Sequence, residues 1–174
     1  MLRPVLAAAA LLALASCTTL TEEECRAGDW FGIGVSDGAE GRPVGRLEGH
    51  RRACADVGVI PDAEAWLRGR ERGLRQYCVP ARAYDVGRRG LPIAEGCTAA
   101  ERAAMSPAYD TGRQWFRLEE QIDSARDDIR AIERDLVRLP PDSPSRGLLM
   151  LRRSMAFNQI QLLRLRQQRY DSWP

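Results

Sequence analysis

The stretch AWLRGRERGLRQYC, residues 65–78, decides the fold. Its charges recur at helical spacing, Glu64 with Arg68 and Glu71 with Arg75, so that each acid precedes a base by about one turn. Asp62, just after Pro61, is placed to cap a helix N-terminus. Yet Gly69 and Gly73 stand four residues apart, and a glycine in a helix interior costs about 1 kcal/mol relative to alanine. Residues four apart share a face, so a helix that accepts this cost twice on one side gains something from the missing side chains. The gain is close approach: a glycine groove beside the knob of Trp66 admits the backbone of a second helix.

The pattern recurs. Trp30 is followed by Gly34 and Gly38, Tyr84 by Gly87 and Gly90, and Tyr109 by Gly112. A β-hairpin repeat with turn glycines is the competing reading, and DWFGIGVSDG (residues 29–38) fits either. The charge spacing around Trp66 favours helices. Thr98-Ala99-Ala100-Glu101 has the form of a capping box, and HRRACADVG (residues 50–58) reads as a short helix stopped by Gly58 and Pro61. The expectation is an all-α fold built on aromatic/glycine helix crossings.

From Ala108 onward the pattern changes. Trp115, Leu118, Ile122, Ala125, Ile129, Ile132, Leu136 and Leu139 alternate three and four apart, a sustained heptad seam. PPDSPSRG (residues 140–147) breaks it. A second seam runs Leu148, Leu151, Met155, Asn158, Leu162, Leu165, with Leu149, Phe157, Ile160 and Leu163 off it. Folding the chain back pairs Leu139 with Leu148, Leu136 with Leu151, Ile132 with Met155 and Ala125 with Leu162. This predicts a long, coiled-coil-like antiparallel helical hairpin over residues 106–174, with Asn158 opposite Ile129.

Aromatics are only 6% of the 174 residues, so a core of this size is small. The 26 basic and 24 acidic residues nearly balance, and no segment carries the basic excess of a nucleic-acid binder. At the N-terminus Arg3 precedes the apolar run VLAAAALLALA, too short to span a bilayer. The run ends in Leu14-Ala15-Ser16-Cys17, which resembles the lipobox of bacterial lipoproteins. Residues 1–16 then read as a lipoprotein signal peptide, Cys17 as the lipidated (palmitate-bearing) residue and 17–24 as its tether. An ordinary secretory leader with Cys17 incidental is the alternative. Several acyl chains on one residue anchor firmly, at about 0.8 kcal/mol per buried CH₂. Thr18 after the cysteine, rather than aspartate, favours the outer membrane over the inner.

Cys25, Cys54, Cys78 and Cys97 remain, and four cysteines in an exported domain of this size read as two disulfides. A metal site is disfavoured by the absence of any CxxC pair. Three connectivities are open. A helical hairpin turning at Gly58–Pro61 puts Cys54 far from Cys78 and so leans towards Cys25–Cys54 with Cys78–Cys97. The stapled domain is expected over residues 25–105.

EEC…DWFGIGVSDGAEG (residues 23–41), HRRACADVGVIPD (50–62), WLRGRERGLRQYC (66–78) and YDVGRRGLP…C (84–97) together resemble bacterial lipoproteins grouped as domain of unknown function 2799. The resemblance covers about Cys17 to Trp115, with Trp66 standing where tyrosine is expected. It implies an exported lipoprotein with four paired cysteines, and no activity.

His50 is the sole histidine. A catalytic reading makes it a general base oriented by Asp37, Glu40 or Glu48, as in a hydrolase of cell-wall or lipid material; the plainer reading is a packed or capping histidine. SDGAEGRPVG (residues 36–45) lacks the regular oxygen ligands and closing glutamate of a calcium loop. Arg70, Arg88 and Arg113 flank the repeat glycines and would bind an anion if they converged. No catalytic residue, metal or cofactor is expected. The function expected is that of a non-catalytic lipoprotein on the periplasmic face of the envelope, binding an envelope protein or peptidoglycan, with homo-oligomers a further possibility.

Overall fold

The structure, a computed structural model, describes residues 19–173. The leader and Cys17 lie outside the described residues. Seven α-helices follow one another: α1 (Glu22–Ala27), α2 (Trp30–Ala39), α3 (Arg46–Ala53), α4 (Ala63–Tyr77), α5 (Pro80–Arg88), α6 (Ala99–Arg138) and α7 (Ser145–Gln167). Among the described residues there is no strand, so DWFGIGVSDG resolves as helix. Asp62 caps α4 by accepting from the Ala65 amide, and Thr98 and Glu101 close a capping box on α6. Gly58, at φ 69°, ends the 3-10 turn that follows α3.

The glycines do what their spacing implies. A Cβ on Gly34 or Gly38 would come closer than 3.0 Å to the carbonyls of Trp66 and Arg70 on α4; one on Gly69 or Gly73 would meet those of Phe31 and Val35 on α2 in the same way. Because the later glycine of each helix meets the later residues of the other, α2 and α4 run in the same direction with their backbones touching. α5 and α6 repeat the arrangement: Gly87 faces the Tyr109 carbonyl and Gly112 that of Tyr84. Such contact is closed to any residue with a side chain. Gly90 differs from the others. At φ 71° it turns the chain out of α5 against the Phe116 ring, a helix stop and not a crossing glycine.

Each crossing carries one core and one disulfide. Leu20, Trp30 and Trp66 surround Cys25–Cys54; Leu74, Tyr77, Tyr84, Val86 and Met105 surround Cys78–Cys97. The pairing is the one that the Gly58–Pro61 turn favours. Closing loops of these lengths contributes about 3 kcal/mol per bridge, help that a core poor in aromatics needs.

α6 does not break at residue 106. Its first part (Met105, Ala108, Gly112) belongs to the stapled core and its second to the hairpin, so the expected boundary between the two units falls inside one continuous helix. The α6 seam is as read: Ile122, Ala125, Ile129, Ile132 and Leu136 are buried. The α7 seam is not. Ala156, Ile160, Leu163 and Gln167 face α6, while Leu148, Leu151, Met155, Leu162 and Leu165 face solvent. The true frame lies two residues earlier in α7, and two residues turn a helix by roughly 200°, to nearly the opposite side. Polar groups at both ends of the hairpin explain the choice. Arg146 Nη1 donates to the Leu136 and Leu139 carbonyls (2.6 and 3.1 Å), occupying acceptors that the end of α6 leaves free. At the other end Gln167 donates to Glu119 (2.7 Å), Trp115 Nε1 to Asp171 (2.9 Å) and the Tyr84 hydroxyl to the Tyr170 carbonyl (2.6 Å). Placing the leucine-rich frame inside would move Arg146 and Gln167 off these partners.

Candidate functional site

Of the three acids that could orient His50, Asp37 is the one that reaches it. Asp37 lies on α2 between the crossing glycines Gly34 and Gly38, and the close approach of α4 brings Trp66 over it. His50 comes from α3, the connection between the crossed helices. Its Nε2 is 2.7 Å from Asp37 Oδ2, which also accepts from Trp66 Nε1 at 2.9 Å. Its Nδ1 is 2.8 Å from Thr19 Oγ1. With the ring proton on Nε2, the imidazole donates to the carboxylate and accepts from the threonine hydroxyl. Glu40 and Glu48 turn away, to Arg42 and Arg51.

Asp37 is buried, a position that a carboxylate holds only when hydrogen-bonded. Arg46 Nε stands 3.8 Å from its other oxygen. Arg70 lies on the far side of the crossing. Burial pulls its guanidinium below the ordinary arginine value, and the Asp37 carboxylate partly offsets this.

Thr19, His50 and Asp37 are connected like a nucleophile–base–acid relay. His50 is nevertheless only 1% exposed, and both ring nitrogens are engaged. The neighbouring cleft, about 610 Å³, is lined by Arg42, Tyr77, Arg82, Arg89, Leu91 and Ile93 among others and by no member of the relay. Thr19 is the residue that sequence reasoning missed. A threonine just after a leader reads as linker, yet Thr19 is bonded to His50 and Leu20 is buried beside Cys25–Cys54, so part of the expected tether is docked on the core.

The three glycine-flanking arginines do not converge. Arg88 stacks 3.9 Å over Trp115, Arg113 lies 5.2 Å from the centre of Phe116, and Arg70 Nε donates to the Arg42 carbonyl. Each covers apolar surface or a backbone acceptor at a different place. The SDGAEGRPVG segment is the end of α2 and its turn, with Asp37 committed to His50; among the described residues no cluster of three or more His, Cys, Asp or Glu side chains is placed to hold a metal ion.

Residues 29–114, from the N-cap of α2 to the end of the α5/α6 crossing, match the family model described as "Protein of unknown function (DUF2799)". Residues 29–114 are a DUF2799 domain. The match contains both glycine crossings, His50 with Asp37 and Trp66, and three of the four paired cysteines. Cys25, Thr19 and the hairpin beyond Gln114 lie outside the DUF2799 segment. No curated protein and no solved structure matches the chain.

Proposed function

We propose that this protein is a non-catalytic lipoprotein of the bacterial envelope, in which Cys17 carries the acyl anchor, the DUF2799 domain is a rigid base and the hairpin binds another macromolecule. The observation that carries the reading is the commitment of the sole histidine. His50, itself buried, spends both nitrogens on Asp37 and Thr19 and thereby ties Thr19, two residues after Cys17, to the crossing of α2 and α4. Two disulfides support an oxidising compartment, and the Leu14–Cys17 motif supports lipidation there. The periplasmic face of the outer membrane is the location favoured by Thr18.

Palmitate labelling of intact cells tests the anchor. Wild type should incorporate label and fractionate with outer membranes, and Cys17→Ala should lose the label. A wild-type product free of label overturns the lipoprotein reading. His50→Gln, which keeps a donor for Asp37, tests the non-catalytic part. It should complement a deletion whenever its abundance is normal. A stable, abundant variant that behaves as the deletion would make His50 a working base.

A further inference from the structure

α7 carries two stripes at three–four spacing, and only one is used within the chain. The unused one is Leu148, Leu151, Met155, Asn158, Leu162 and Leu165, whose five apolar members are each 58–62% exposed. Seven of the fourteen large apolar side chains that stand exposed among the described residues belong to this one helix. A surface this apolar on a soluble face marks an interaction site.

We propose that this stripe is the interface of a parallel homodimer, α7 lying along α7 of a second copy. The spacing itself calls for a helix as partner, because a strict three–four alternation matches the knobs-into-holes contact of two helices and a flat surface does not require it. The one polar member decides orientation. In a parallel two-fold pair Asn158 meets Asn158 of the second copy and the two amides hydrogen-bond; in an antiparallel pair with the stripe ends matched it lies against Met155, unsatisfied. The flanks agree. α7 has five arginines and no acid. Parallel pairing sets Arg152 against Gly147 and Arg166 against Gln161, whereas antiparallel pairing sets Arg152 beside Arg166. The five stripe side chains, each more than half exposed, offer on the order of 500 Å² per chain, or about 1,000 Å² for the pair, the size at which a specific interface begins. This inference deepens the interaction-module reading and rests on it for the compartment alone; loss of the palmitate result would leave the dimer test standing.

Asn158→Cys, in the full chain in intact cells, should yield a disulfide-linked dimer on non-reducing gels. Ser124→Cys, at an exposed site on α6, should not. Leu151→Arg with Leu162→Arg, both exposed in the single chain, should cut the crosslinked Asn158→Cys product roughly tenfold or more while abundance and helicity stay as in wild type. In detergent solution the dimer should strengthen with added salt, which screens the general repulsion between two helices that each carry five arginines and no acid. A monomeric Asn158→Cys overturns the proposal. So does crosslinking only in the Met155→Cys/Asn158→Cys double variant, the antiparallel signature. So does a monomeric Cys17→Ala chain that sediments with phosphatidylcholine vesicles and loses that binding with Leu151→Arg and Leu162→Arg, which would make the stripe a lipid-facing surface.

Discussion

The glycine-crossed base and the hairpin are both pairs of helices, but they specify their partners differently. In the base, backbone meets backbone at Gly34, Gly38, Gly69 and Gly73, so a slide of one residue drives a Cβ into a carbonyl. Steric exclusion leaves one register. In the hairpin, side-chain stripes meet, and α7 offers two stripes that α6 could accept. Hydrogen bonds from Arg146 and Gln167 choose between them, and the choice leaves the more apolar stripe outside. Steric fit makes a pairing single-valued; greasy periodicity alone does not.

The contrast can be broken most severely in the base. Gly69→Val places two methyl groups where α2 backbone stands. It should destabilise the chain by about 3 kcal/mol or more, beyond the 1–3 kcal/mol typical of overpacking, since backbone cannot give way as side chains do. Thermal or denaturant unfolding reads this, and a Gly69→Val protein as stable as wild type would refute the crossing. In the hairpin a matched pair sharpens the assignment of faces. Ile160→Ala should cost about 2–4 kcal/mol and Leu162→Ala under ~0.5 kcal/mol in the single chain, measured under conditions that hold it monomeric. Equal costs would restore the leucine-rich frame as the inner one. The smallest effect lies at the start of α6, the helix both regions share. The Thr98 amide and hydroxyl hold the Glu101 carboxyl below its ordinary 4.5, so its contribution is present above that value and is lost as pH falls through the depressed one. Glu101→Gln should therefore shallow the acid limb of the stability profile and leave stability nearly unchanged once pH has fallen below the depressed value. An unchanged acid limb would show the capping box to be without weight.

This contrast also sets what could be read in advance. Gly34, Gly69, Gly87 and Gly112 were legible because a mid-helix glycine beside an aromatic has few other physical uses. The α6 seam was legible because only one of its faces is apolar. α7 misled because Leu148, Leu151 and Leu162 make the richer stripe, and periodicity ranks stripes by apolar content. It cannot weigh the carbonyls that Arg146 occupies or the hold of Gln167 on Glu119, which depend on where α6 ends. At the candidate site Asp37 was one of three possible acids, and only the close approach of α2 and α4 selects it. Thr19 carried no signal, since nothing in a lone threonine says that a histidine 31 residues later will bind it.

The docking of Thr19 and Leu20 bears on posture. Two peptide units from Cys17 to Thr19 reach at most about 7 Å, so under the lipoprotein reading proposed above an acylated Cys17 would hold the folded body flush with the headgroups. Such a molecule would work as a post set in the ground, not a float on a line, and whatever it gripped would be met at a fixed height above the bilayer.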